Sequence, residues 1–304
     1  MTMVSTSAFY GRSGMTLSAL RARAEDLQAA LGRGERLTAG SDDPVAAARL
    51  RSLARAEGLA AIDTTNANRA AADLTLTDTA LSSFSNYVIR AKELATQAAN
   101  GVLSAGQRNG IATELTQLHG ELARLANTRD SAGHALFGGE TSGSAYTFDA
   151  LGNPLYAGTA NAGELPLGDG QSVTRGLTGP EFLNFNAAAG ATNLFAVVKG
   201  LADALGGAAA DPAQAARDAL GPLDTGLETI TTAQTVIGAR LNWIDLTTER
   251  RTQLSEQHAS EQAEIGGTDI AATVSRLQET MTVLEASQAS FAKLASLSLF
   301  DLLR

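Results

Sequence analysis

No cysteine occurs anywhere in the chain, which excludes disulfides, thiolate metal sites and a cysteine nucleophile. Aromatic residues supply only 5%, so the apolar content rests mainly on Ala and Leu, which favour closely packed helices. Lysine is scarce as well, and no basic run is longer than the pair Arg250-Arg251, in a chain of net charge −9. That balance speaks against a nucleic-acid or anionic-membrane partner, since both need a concentrated basic patch. No run approaches the roughly 18 apolar residues of a membrane span. The opening, Met1 to Gly14, lacks the apolar block of a cleavable secretory signal. The expectation is a protein that stays in the cytoplasm or leaves by a route using no such signal.

With 304 residues, of which 44% are hydrophobic, the chain can bury sizeable cores in more than one folded region. Helical heptad spacing dominates both ends. Leu17, Leu20, Ala24, Leu27 and Leu31 alternate steps of three and four and form one stripe. Gly32 and Gly34 loosen that helix. Asp42 or Asp43 then caps the next, whose first position suits Pro44. The second helix is expected from Pro44 to about Asn100, with Leu74, Leu81, Val88 and Ala95 on its stripe and Asn100-Gly101 as its stop. A third starts near Ser104 and carries Ile111, Leu115, Leu118, Leu122 and Leu125. The pair reads as an antiparallel hairpin.

From Gly138 to Gly190 the periodicity disappears. Gly, Asn, Pro and Thr punctuate short runs such as Ala145–Phe148, Leu155-Tyr156 and Gln171–Arg175, and Asp149–Pro154 reads as a hairpin turn. A small β-containing insert is expected there. Helix resumes behind the Asp211-Pro212 cap, with Leu220, Leu223, Leu227, Ile230, Ile237, Leu241 and Ile244 in coiled-coil register. After Gly266-Gly267, a last helix carries Ile270, Val274, Leu277, Met281, Leu284, Gln288, Phe291 and Leu294. The fold class is therefore mainly α with a small β insert. The architecture expected is an elongated antiparallel helical bundle or coiled coil of paired N- and C-terminal segments. Its last helix, about 37 residues, would run roughly 55 Å beside a much shorter N-terminal partner, leaving apolar surface for a second molecule.

Little here points to chemistry. His119, His134 and His258 are far apart and lack one-turn pairing, so surface or structural roles are expected. No Gly-x-Ser-x-Gly elbow appears. Gly32-Arg33-Gly34 lacks the preceding strand and lysine of a phosphate loop, and reads as a helix break. No catalytic, metal or cofactor site is assigned, and an enzyme is not expected.

The most informative stretch is Arg36-Leu-Thr-Ala-Gly-Ser-Asp-Asp-Pro-Val-Ala-Ala-Ala48. It resembles the corresponding junction in the flagellin superfamily, and its Asp42-Asp43-Pro44-Val45 form is similar to hook-associated proteins of the hook-filament junction. Asn66–Asn68, Arg90–Gly101, Leu125–Asn127, Phe137–Gly139 and Leu297–Leu303 fall in the same order. The C-terminal Arg304 is shared with many filament flagellins. The Ala-Asn-Gln element of flagellin is replaced by Ala286–Ser290, and its Asn-rich opening is missing. Filament flagellin stays open as an alternative, as does a cytoplasmic helical enzyme or signalling protein with an inserted domain.

The resemblance implies an exported, extracellular structural subunit of the bacterial flagellum, polymerising into a hollow tube. It implies an inner-tube helical domain from 1–40 and 266–304, a helical bundle from 41–137 and 191–265, and a surface domain at 138–190. Implied partners are further copies of the chain, a hook-side junction protein, flagellin and an export chaperone. The subunit-interface candidates are Leu17, Leu20, Leu27 and Leu31, facing Val274, Leu277, Met281, Leu284, Phe291 and Leu294. Two further expectations follow. The 138–190 insert should be dispensable for the helices, and Leu284 should be exposed until subunits meet.

Overall fold

Helices account for most of the chain in the computed structural model, which describes residues 6–37, 39–130, 132–150 and 152–301. The side chains of the Leu297–Leu303 element, the opening residues 1–5, Thr38 and Leu151 lie outside the described residues. Packing divides the chain into two compact units, one of Met1–Gly58 with Leu254–Arg304, the other Leu59–Gln253. These divisions fall inside two long helices.

The terminal unit contains α1 (Thr6–Arg33), α7 (Ile270–Asp301), the start of α2 (Pro44–Ala99) and the end of α6 (Pro212–Gly266). Gly34, at φ +71°, takes the left-handed conformation that ends α1 cheaply only without a side chain. The chain then pairs with the segment after α6. The Arg36 N–H donates to Gly266 O at 2.8 Å, and the Thr268 N–H to Gly34 O at 2.9 Å, making an antiparallel bridge at Glu35 and Gly267.

Asp43 caps α2 by accepting from the Ala46 N–H at 3.0 Å. That bond holds its carboxyl below the usual carboxylate range. Arg49 grips Glu261 with two hydrogen bonds of 2.5 and 2.8 Å, and Ser255 donates to Glu57 at 2.7 Å. These contacts set α2 and α6 antiparallel in this unit.

The second unit adds α3 (Ala105–Ala126), three two-stranded antiparallel hairpins and two shorter helices. Ser104 and Gln107 form a reciprocal capping box at the start of α3, satisfying two N–H groups that a helix start otherwise leaves free. The hairpins are β1 (Tyr146–Phe148) with β2 (Pro154–Tyr156), β3 (Glu164–Gly168) with β4 (Gln171–Thr174), and β5 (Asn184–Ala187) with β6 (Gly190–Asn193). α4 (Gly179–Leu183) precedes β5. α5 (Leu194–Asp203) follows β6 and runs into a π-helical turn at Ala204–Ala208.

One core serves all of these elements. Leu74, Leu81, Phe84, Val88 and Ala95 of α2 meet Ile111, Leu115 and Leu122 of α3. They also meet Leu223, Ile230, Ile237 and Ile244, every seventh residue of α6. Side chains from 138–190 enter the same core: Ala145, Tyr146, Leu167, Val173, Leu177, Phe182, Leu183 and Phe185 are all buried in it. The Phe182 ring packs edge-on against Phe84 at 5.2 Å and tilted against Phe137 at 5.0 Å, measured between ring centres. The expectation of a separable insert is thus corrected: its strands are too short to enclose a core alone, so they complete that of the helices. An ionic clamp reinforces the join, with Arg175 after β4 reaching Asp73 of α2 at 3.2 Å and Asp130 at 3.4 Å.

The Phe137-Gly-Gly139 element has a steric reason. Gly139 sits at φ +68°, and a β-carbon there would fall 2.6 Å from Asn161 O and closer still to Thr159 Oγ1. Gly139→Ala is expected to cost about 2 kcal/mol or more, from left-handed strain plus overlap, read as a lower urea midpoint.

His119 supplies a pH dependence. Its ring lies 6.0 Å from those of Phe148 and Phe195, and its Nε2 is buried with no hydrogen-bond partner among the described residues. Burial pushes its pKa down and the nearby Lys199 charge adds to this, against a smaller opposing effect of Asp203. A depressed histidine favours the folded state fully above its unfolded pKa of about 6.5, and stability is lost as pH falls below that value. The melting temperature should therefore drop from about pH 6.5 towards 5, and less steeply in His119→Phe. Equal slopes in the two proteins would refute this role.

Candidate subunit interface

Two helices that pack side by side can each hide only one stripe, so the terminal pair is where uncovered apolar surface should be sought. α1 and α7 run antiparallel along their length, with the Tyr10 and Phe291 rings 5.5 Å apart and edge-on near one end. The Glu35–Gly267 bridge stands at the other. α1 has 28 residues against 32 in α7. The expectation of a much shorter N-terminal partner is corrected: α1 begins eleven residues before Leu17, in a segment whose Ser and Gly content hides its helical pairing.

The seam takes up only part of the sequence stripe. On α1, Ala24 is buried, and Leu17, Leu20, Leu27 and Leu31 are half-buried. On α7 the covered positions are Thr273, Leu277, Thr280, Leu284 and Phe291, with Leu284 only 8% accessible. Threonine stands where the heptad reading put Val274 and Met281. Its hydroxyl can be satisfied within the helix, as Thr280 shows by donating to Arg276 O at 2.7 Å, so it enters a thin seam at little cost. Leu284, expected on the open surface, is instead covered by α1.

The displaced apolar residues lie outside. Ile270, Val274 and Met281 remain exposed, as do Val283 and Leu294. Helical geometry puts the first three on one flank of the seam and the last two on the other. Phe9 and Met15 of α1 are exposed too. Phe9, Leu17, Val283, Phe291 and Leu294 line a groove of about 530 Å³ along the pair. Of the sequence candidates, Leu17, Leu20, Leu27, Leu31, Leu277, Leu284 and Phe291 meet in the seam, and Val274, Met281 and Leu294 stand on its flanks. Sequence reasoning missed Phe9, Val283, Thr273 and Thr280. The seven-residue step from Thr273 to Thr280 was the available signal.

The histidines fall elsewhere and apart. His119 is half-buried on α3 beside Phe148 and Phe195, the His134 Nδ1 is 3.5 Å from Asp130, and His258 is half-buried on α6. Among the described residues no three His, Asp or Glu side chains converge to hold a metal ion, and no helix is long and apolar enough to cross a membrane.

Comparison with known proteins adds the following. Residues 4–142 match the bacterial flagellin N-terminal helical region. Flagellar hook-associated protein 3 of Escherichia coli (strain K12) is 27% identical over 285 residues, spanning 88% of this chain and 89% of that protein. A solved structure from Vibrio parahaemolyticus, assigned as a flagellar hook-associated protein, superposes with a TM-score of 0.68 at 23% identity, over 74% of this chain and 100% of that one. The flagellar junction protein FlgL of Legionella pneumophila does so with a TM-score of 0.60 at 16% identity, over 72% and 100%. The two structures share the fold of this chain.

Proposed function

We propose that this chain, which carries the flagellin N-terminal helical region and is similar to hook-associated protein 3 along most of its length, is a structural subunit of the bacterial flagellum that joins hook to filament by helical polymerisation. What supports this above all is the reach of the similarity, nearly nine-tenths of either chain, which a shared helical hairpin alone would not give. Its work is assembly. The terminal helix pairs of neighbouring copies pack flank against flank around a hollow tube, covering Val274, Met281, Val283 and Leu294. Burial of each such side chain contributes about 1.5–3 kcal/mol, enough in sum to hold a polymer whose single copies are separately folded.

On this reading the neighbours are further copies, a hook-side junction protein below and flagellin above. The subunit leaves the cell through the flagellar secretion apparatus without a cleavable signal, its C-terminal helix held by an export chaperone until then. Immunogold labelling of intact flagella tests the assignment. Label confined to the hook-filament boundary is expected. Label along the whole filament would make the chain a filament flagellin instead, and absence from flagella would end the reading.

A further inference from the structure

The terminal unit carries opposite charges on two faces that point away from each other. In it, α2 contributes the segment from Pro44 to Gly58, with three arginines and one glutamate, and α6 the segment from Leu254 to Gly266, with three glutamates and neither Lys nor Arg. The Arg49–Glu261 and Glu57–Ser255 contacts mark the sides on which the helices meet. Helical geometry puts Arg51 and Arg55 on the opposite side of α2, and Glu256 and Glu264 away from the seam on α6. All four are exposed. Among the described residues no ion pair engages any of them. Arg51 and Arg55, one turn apart, also repel each other in a lone subunit.

We propose that these faces bind each other between copies, Arg51 and Arg55 of one copy pairing with Glu256 and Glu264 of the next. A two-fold contact would bring like charges together. A head-to-tail contact brings basic face to acidic face and leaves one of each free for a further copy, which is how a chain of identical subunits grows into a ring or helix. The inference rests on the polymer reading above and names one lateral contact within it. Charge complementarity fixes the register of the contact and rejects wrong ones.

Four strains of the bacterium that encodes the chain test this, with filaments per cell counted by electron microscopy and secreted subunit measured alongside. One lacks the gene, one carries Arg51→Glu with Arg55→Glu, one Glu256→Arg with Glu264→Arg, and one all four changes. Each reversal alone should cut filament number by roughly tenfold or more, and the fourfold exchange should restore most of it. Independently, Arg55→Cys with Glu256→Cys should give reducible multimers in intact flagella, which the lack of any native cysteine makes unambiguous. Normal filaments in both reversal strains would overturn the proposal, as would a fourfold exchange no better than either reversal, or the lack of such multimers. Normal filaments in the strain without the gene would instead overturn the polymer reading itself.

Discussion

Replacing residues 138–190 by a short Gly/Ser linker should abolish cooperative unfolding of the Leu59–Gln253 unit and remove much of its helical circular dichroism. The deletion takes Tyr146, Leu167, Val173, Leu177, Phe182, Leu183 and Phe185 out of one shared core. At about 1.5–3 kcal/mol for each large buried side chain, the loss exceeds 10 kcal/mol, comparable with the whole stability of a typical domain. It also exposes the rings of Phe84 and Phe137, which Phe182 now covers, and leaves Asp73 buried without Arg175. A shortened chain that melts sharply near the parent temperature would show that the helices hold their core unaided.

The second large effect separates monomer from polymer with two neighbouring residues. Leu284 is 8% accessible and Val283 45%, so aspartate at each position meets opposite surroundings. Leu284→Asp puts an unpaired carboxylate into the α1–α7 seam, at a cost of several kcal/mol, and should loosen that pair in the purified subunit. Val283→Asp places the same charge in water until copies meet. It should leave the thermal melt of the subunit unchanged while filaments are lost. Equal damage to both melts would assign the groove beside Val283 to the folding of the single chain; normal filaments with Val283→Asp would remove this flank from the interface.

Much of this was legible in the residues, and the exceptions share a cause. The α6 register from Leu223 to Ile244, the Asp43-Pro44 start, the Ser104 start and the Gly101 stop are local signals, and each follows from periodicity or backbone chemistry alone. The shared core around Phe182 was not legible, because contacts between the 138–190 segment and α2 join residues about a hundred positions apart and leave no periodic trace. The α7 seam was legible only to within one residue. Val274 and Met281 form as good a heptad as Thr273 and Thr280, and hydrophobicity favours the former. Which stripe turns inward depends on how closely α1 approaches, and threonine permits the closer fit. The charged faces of α2 and α6 were visible as letters, but their outward direction needed the Arg49–Glu261 contact.

The bridge between Glu35 and Gly267 joins points more than two hundred residues apart, and that separation has a bearing on time. As a ribosome makes the chain, α1 appears first and its partner last, while everything between can already fold. The entropic cost of closing so long a loop falls sharply once the intervening residues have compacted and the start of α2 lies beside the end of α6. The seam is therefore expected to be the last part of the subunit to form, and a nascent chain carries no paired terminal helices. A refolding experiment would see this as order of events: Phe84, Phe137 and Phe182 packed first, and the Tyr10–Phe291 contact only after a lag.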